Sequence, residues 1–196
     1  ARGRLGERGL EGVAVIYRQV PKVSTTYHFG SRLAFAPDGT LFVTQGDRAD
    51  DHRERAQDLA TTTGKVVRIH TDGTVPADNP FVGRPGARPE IWSYGHRNVQ
   101  SAAIQPGTGR LWTLEHGARG GDELNHPEAG RNYGWPVITY GENYGGGKIG
   151  AGITHQAGME QPAHQWTPSI AVSGMAFITS DRYPGWQGQM VVGALK

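Results

Sequence analysis

The chain has 196 residues, and its 20 Lys and Arg against 18 Asp and Glu give a net charge of +2. The basic residues are scattered rather than clustered, so the sequence does not favour a nucleic acid partner. The absence of cysteine excludes disulfides and cysteine-bound metal centres, and no window approaches the roughly 18 consecutive apolar residues of a membrane-spanning helix. The 36% hydrophobic content with 30 glycines and 12 prolines predicts a folded chain of short strands and tight turns.

A hairpin of two apolar strands recurs at residues 31–44, 100–113 and 173–193, with starts about 70 residues apart. Further strands are predicted at 65–69 and 91–94, and long helical periodicity is missing. About four strands per repeat without helices predicts a β-propeller blade rather than a βαβ unit. We therefore predict an all-β fold of roughly three blades. Because an open array would expose blade faces, we expect residues 1–196 to be a single partial propeller domain, truncated at both ends.

Three long inter-strand segments carry many Gly, Asp, His and Arg residues, at 45–63, 72–89 and 115–130. Loops of this composition on a rigid scaffold are where function usually resides. One cluster, Gly46 to Glu54, combines carboxylates with a histidine, but its mixed charges indicate a solvated surface loop.

Two candidate clusters immediately precede repeated hairpins. His28 could act as a general base, or it could be a structural histidine. Arg97, Asn98 and Gln100 offer donors suited to a carboxylate or a quinone, or they could form a network that stabilises the loop.

Two further candidates lie later in the chain. Asp122, Glu123 and Asn125, in a glycine-rich segment, supply hard oxygen atoms that suit calcium, although their spacing does not fit an EF-hand and a metal-free turn remains an alternative. Lys196 ends the third hairpin, where a lysine is ordinarily solvated.

Taken together, these segments resemble the soluble PQQ-dependent aldose sugar dehydrogenases, relatives of soluble quinoprotein glucose dehydrogenase. The resemblance extends from about Tyr17 to Lys196 and implies a six-bladed β-propeller. It is carried by six motifs in order: His28 to Phe35, Ile91 to Asn98, Glu115 to Asn125, Asn132 to Pro136, Ser173 to Phe177, and Gly193 to Lys196.

The resemblance implies oxidation of an aldose at C1 to the lactone by hydride transfer to PQQ. His28 corresponds to the catalytic base, and Arg97 and Asn98 correspond to the pair that contacts the quinone, with Arg97 stabilising charge on it. The carbonyls of Gly117 and Ala118 match those that hold the cofactor-bound calcium, although relatives often have proline at the second position.

The remaining correspondences concern the edges of the site. Lys196 matches a lysine that binds PQQ, and Glu123 with the carbonyl of Tyr133 resembles the ligands of a second calcium. Trp166 resembles an aromatic wall over the sugar. The resemblance further implies an external electron acceptor and a periplasmic or secreted location.

The resemblance implies that the arginines that clamp the PQQ carboxylates lie beyond the equivalent of Lys196, so we expect that these 196 residues alone do not complete the PQQ site. Two alternatives stay open. One is a propeller that only binds a ligand or a partner protein, since fold does not fix function. The other is a calcium-dependent lactonase that uses no quinone.

Overall fold

Antiparallel strands make up almost all of the regular structure. The computed structural model describes the backbone of residues 1–196 and every side chain except that of Asp50. A 3-10 helix spans Asp50–Ala56, and the described chain contains no helix long and apolar enough to cross a membrane. The strands are β1 (Arg2–Gly6), β2 (Gly9–Ala14), β3 (Gly30–Phe35), β4 (Thr40–Gln45), β5 (Lys65–His70), β6 (Ile91–Tyr94), β7 (Val99–Ile104), β8 (Leu111–Glu115), β9 (Asp122–Asn125), β10 (His164–Trp166), β11 (Val172–Phe177) and β12 (Met190–Ala194).

The strands form two four-stranded sheets and two two-stranded sheets. In each four-stranded sheet, β3-β4-β5-β6 and β7-β8-β9-β10, neighbouring strands follow one another in the chain, as expected of propeller blades. The two-stranded sheets are β1-β2 and β11-β12. The predicted all-β class is confirmed, and the three predicted hairpins correspond to β3-β4, β7-β8 and β11-β12.

One of the predicted loops contains a strand. Residues 115–130 were expected to be a loop, but Asp122–Asn125 forms β9 between β8 and β10. This segment is polar and lacks the β-branched and aromatic residues that mark a strand, so its conformation depends on pairing with both neighbours rather than on local preference.

The blades pack through apolar side chains that project from the sheets. Between the two four-stranded sheets, Phe42 and Trp92 meet edge to face with ring centroids 5.3 Å apart, and Leu111 from the next blade joins this cluster. Strands β4 and β5 are buried along nearly their whole length because both faces of their sheet are covered. Strand β7 packs against both β3 and β11, and we call these three the inner strands. The segments before them lie at one end of the fold, where Asp47 N donates to Arg97 O and His116 Nε2 lies 2.6 Å from Val172 O.

Lys65, at the start of β5, is fully buried, which is rare for a lysine. Its amine donates to the carbonyl oxygens of Arg55 and Thr63, both at 2.8 Å. Burial lowers the pKa of Lys65 to about 7, only partly opposed by the negative charge of Asp58. A neutral amine has two N–H groups, which matches the two carbonyls. Lys65 thus ties the 3-10 helix to β5.

The lowered pKa of Lys65 predicts a pH-dependent stability. Between about pH 7 and pH 10.5 the unfolded chain holds the lysine proton and the folded chain does not, so the free energy of unfolding rises with pH, by at most about 1.4 kcal/mol per pH unit. Denaturant titrations at pH 7 and pH 9 should show a smaller rise for Lys65→Met than for wild type. Lys148→Met, at an exposed position, is the control and should keep the wild-type rise; an equal rise in Lys65→Met would contradict the assignment.

Candidate active site at the beginnings of the inner strands

The structure brings several of the predicted site residues to the end where β3, β7 and β11 begin. His28 precedes β3, and Arg97 and Asn98 directly precede β7. The loops that carry them are joined through the backbone, because Asp47 N donates to the carbonyl of Arg97 at 2.7 Å. Lys196 follows β12, and its backbone N donates to Ile170 O just before β11. Strand order therefore assembles residues that are far apart in the sequence.

His28 is held by a buried carboxylate. Its Nδ1 lies 2.7 Å from Oδ1 of Asp47, whose side chain is completely buried, whereas 16% of the His28 side chain is exposed. His28 has a φ of 50°, in the left-handed region that non-glycine residues seldom adopt. Strained backbone of this kind concentrates at functional sites. With Nδ1 donating to Asp47, the ring presents Nε2 as a proton acceptor.

The expectation that Gly46 to Glu54 is a solvated loop was wrong at its first residues. Asp47 and Arg48 are both buried, and the guanidinium of Arg48 lies over the ring of Phe29, 3.9 Å from its centroid. The loop packs closely against the His28 segment, where Gly46 N donates to Phe29 O at 3.3 Å. Mixed charge suggested solvent exposure, but the contact between the two loops removes Asp47 from water.

Arg97 is only 3% exposed, and the surrounding backbone fixes its guanidinium. Its Nη1 donates to the carbonyls of His116, at 3.1 Å, and Gly117. The guanidinium lies over the Trp135 ring, 5.2 Å from its centroid. Among the described residues no acceptor reaches its buried Nε. The arrangement holds a cation with an unused donor at the beginning of β7.

A carboxylate beneath Arg97 organises a buried polar network. Glu115 accepts from the backbone N of Arg97 at 2.6 Å, from Nδ2 of Asn125 at 2.9 Å, and pairs with Nδ1 of His96 at 3.0 Å. Asn125 also donates to Glu123 at 3.0 Å. Burial, and then the negative charge of Glu115, raises the pKa of Glu123 well above its ordinary value. Two carboxylates therefore lie close together beneath the Arg97 loop.

The turn between β8 and β9 contains Gly117 and Ala118. A side chain at Gly117 would collide with the backbone oxygens of Gly120 and Gly121, so only glycine fits. Asp122 is fully buried and accepts from Gly117 N at 3.0 Å and from Ser169 Oγ at 2.8 Å. Its carboxylate is thus occupied by protein donors and holds the turn in place.

Glu123 and Tyr133 line a small cavity of about 10 Å³, together with Arg97, Gly117 and Trp135. This volume is on the order of one small ion or one water molecule. Among the described side chains, no group of three or more His, Asp or Glu could hold a metal ion. A cation at this place would therefore need backbone carbonyl oxygens as well as carboxylates, which is a donor set that calcium accepts.

Asn98, Lys196 and Trp166 have different surroundings. Asn98 is buried, and its Oδ1 accepts from Gln100 Nε2 at 2.9 Å. Lys196 is exposed and lines an open cavity of about 700 Å³ together with Ala118. Trp166 ends the outer strand β10 and packs edge-on against His164, with centroids 4.5 Å apart. The cavity lining instead includes the two residues that follow it, Thr167 and Pro168.

Sequence reasoning missed Asp47, Glu115 and Trp135 as site residues. Trp135 Nε1 donates to Asp47 Oδ2 at 2.7 Å, across 88 positions of sequence. The sequence offered one signal for Asp47: it comes just after the second strand of the predicted hairpin, and His28 comes just before the first strand of the same hairpin. Nothing local indicated that Trp135 would meet either loop.

Comparisons with known proteins agree with this architecture. A family model described as Glucose / Sorbosone dehydrogenase matches residues 1–196. The chain is 51% identical over 182 residues to Aldose sugar dehydrogenase YliI of Escherichia coli (strain K12), covering 92% of this chain and 48% of that protein.

Two solved structures are also similar. The soluble aldose sugar dehydrogenase from Escherichia coli in the apo-form is 48% identical with a TM-score of 0.92, covering 98% of this chain and 56% of that chain. The PQQ-bound form of the aldose sugar dehydrogenase from Streptomyces coelicolor is 32% identical with a TM-score of 0.69, covering 95% and 54%. The chain thus spans about half the length of the relatives it matches. The family match over the whole chain and these structural likenesses show that the chain belongs to the glucose/sorbosone dehydrogenase family.

Proposed function

We propose that the protein oxidises aldose sugars at C1 to the lactone, using PQQ and calcium and passing electrons to an external acceptor. The observation that carries this proposal is the convergence of a carboxylate-held histidine and a buried arginine beside a turn of close-packed carbonyls. The names of the relatives, an aldose sugar dehydrogenase and its PQQ-bound counterpart, support the substrate class and the cofactor. We place the protein in the periplasm or outside the cell, as one partial propeller domain over residues 1–196.

In this proposal His28 is the general base. Asp47 holds the Nδ1 side of the ring, so Nε2 can take the proton from the C1 hydroxyl of the sugar. As the ring becomes positively charged, the buried carboxylate of Asp47 stabilises it. Asp47 itself is held by Trp135 Nε1 at 2.7 Å and by Ala49 N at 2.9 Å, so the base is oriented before substrate arrives.

Arg97 supplies a fixed positive charge on the acceptor side. Its guanidinium is buried and oriented by carbonyls, so it can stabilise developing negative charge without reorganising. The free, buried Nε fits a site that awaits an acceptor. Asn98 lies next to it and offers a side-chain amide to the same quinone.

The residues present also fit the two cofactors. The carbonyls of Gly117 and Ala118 would hold one calcium, because Gly117 O accepts one hydrogen bond from Arg97 Nη1 and keeps a second lone pair for a metal. Glu123 and the carbonyl of Tyr133 would hold a second calcium, and Lys196 would bind PQQ from the cavity edge. When bound, PQQ would supply the hydride acceptor for C1, and calcium would supply Lewis-acid polarisation of that acceptor. Trp166 is our proposed stacking surface for the sugar.

The proposal is tested by dye-linked glucose oxidation with the full-length protein. We expect activity after reconstitution with PQQ and Ca²⁺, and loss of activity when either is omitted. Folding is checked in each sample by circular dichroism. Absence of activity across a panel of aldoses, in a folded protein that binds PQQ, would contradict the proposal and favour a binding module. Calcium-dependent lactone hydrolysis without PQQ would favour a lactonase.

A further inference from the structure

Trp135 connects the two halves of the candidate site. It is 5% exposed and contacts the His28–Asp47 pair with one part of its side chain and Arg97 with another. The indole Nε1 donates to Asp47 Oδ2 at 2.7 Å, while Oδ1 of the same carboxylate faces His28 Nδ1 at 2.7 Å. The face of the ring lies under the Arg97 guanidinium, 5.2 Å from Cζ to the centroid.

The backbone on either side of Trp135 is firmly held. Its N donates to Gly95 O at 2.9 Å, and its carbonyl accepts from Gln57 Nε2 at 2.7 Å. Gln57 and Asn132 exchange two hydrogen bonds, at 3.0 Å and 2.7 Å, which fix the start of this turn. A side chain at Gly95 would collide with Asn132, so the turn and the Arg97 loop pack without space between them.

The indole is also enclosed by apolar neighbours. Ala56, at the end of the 3-10 helix, packs with Ala118 and Ile149 in the same buried cluster as Trp135. The cluster therefore includes residues from the loop after β4 and from the β8-β9 turn. An indole held on all these sides has little freedom to move independently of either loop.

Resting on the proposed function, we propose that Trp135 is a positioning residue that sets His28, through Asp47, and Arg97 at a fixed separation. His28 acts on the sugar and Arg97 on the acceptor of the same hydride transfer, so the relative position of the two side chains limits the rate. The two loops that carry them belong to different blades. Trp135 is the side chain that contacts both through a donor atom and a ring face.

The two contacts can be separated by substitution. Trp135→Phe removes the donor to Asp47 and keeps an aromatic face for Arg97. We expect kcat for glucose to fall about tenfold with KM unchanged within about twofold, because the lost contact positions reacting groups and does not bind sugar. Trp135→Leu also removes the aromatic face, and we expect kcat to fall by about a further tenfold.

A second readout does not depend on activity. In the full-length protein without cofactors, the imidazole Nδ1–H proton of His28 should give a protected NMR signal because Asp47 holds it. In Trp135→Phe we expect its exchange with solvent to accelerate by about tenfold, since Asp47 has lost one of its anchors. Trp112→Phe is the matched control: that indole also donates to a side-chain oxygen, Gln105 Oε1 at 3.2 Å, and both readouts should stay at wild-type values.

The outcomes are distinct. A folded Trp135→Phe with wild-type kcat and wild-type Nδ1–H exchange would overturn the inference, and so would a fall in kcat without a change in exchange. If Trp135→Phe does not fold, incorporation of benzothienylalanine at position 135 removes the N–H and keeps the ring volume, and the same two measurements decide. If the wild type oxidises no aldose but exchange responds as expected, the proposed function fails while the positioning of His28 by Trp135 stands.

Discussion

Replacement of His28 by glutamine is expected to lower kcat for glucose oxidation by about three orders of magnitude. Glutamine can still hydrogen-bond to Asp47, so the loop should keep its conformation, but its amide cannot accept a proton from the C1 hydroxyl. The KM for glucose should change far less than kcat, because the lost interaction develops in the transition state. Steady-state kinetics with saturating PQQ and Ca²⁺ measure both values.

His126→Gln is the matched control for this experiment. His126 Nδ1 lies 2.9 Å from the carbonyl of Leu111, and its ring stacks on Trp112 outside the site. We expect wild-type kcat in this variant. A His28→Gln enzyme with kcat within about threefold of wild type would remove His28 from the mechanism.

Asp47→Asn should reduce kcat by about 10²-fold, which is less than the effect of His28→Gln, because the base remains but loses the negative charge that orients it.

Replacement of Arg97 by methionine is expected to reduce kcat by about 10²-fold to 10³-fold. Methionine fills much of the same volume against Trp135, but it carries no charge to stabilise an anionic acceptor. Arg97→Lys should recover little of this loss, because one ammonium cannot reproduce the planar guanidinium that reaches two carbonyls and covers the indole face. Kinetics with C1-deuterated glucose should show a larger isotope effect if hydride transfer has become slower than product release.

Arg84→Met provides the control for the loss of a stacked arginine. Its guanidinium also lies over an aromatic ring, Phe81, with Cζ 5.6 Å from the centroid, and the residue is exposed. Neither kcat nor the melting temperature should change appreciably. Wild-type kcat in a folded Arg97→Met protein would show that the charge at this position does not assist the reaction.

The strands could be predicted where the sequence follows a local rule. β4 and β5 are buried runs rich in β-branched and aromatic residues, and the turns after β3 and β7 contain Pro and Gly. β9 could not be predicted, because its residues Asp122–Asn125 lack strand preference and are held by β8 and β10. The short strands β1, β2 and β10 were also not predicted.

The candidate site divides in a similar way. His28, Arg97 and Asn98 stand out in the sequence because each lies directly before a repeated hairpin. Asp47 was assigned to a solvated loop, although burial and the contact with His28 make it part of the site. The β3-β4 hairpin brings the two residues to the same end, since Gly30 pairs with Gln45, but the charged composition of the loop pointed to solvent instead.

By itself the sequence determined the all-β class, the recurring hairpins and the residues at the beginnings of the inner strands, because strand periodicity and turn chemistry are local properties of the chain. Only the tertiary structure decided which side chains meet there. It buried Lys65 and Asp47, placed Glu115 beside Glu123, and brought Trp135 between His28 and Arg97. The contact between Trp135 and Asp47 joins separate blades, whereas Lys65 and the Glu115–Glu123 pair are held within one sheet and its loops. All of these contacts depend on how strands and loops pack rather than on the preferences of any one segment.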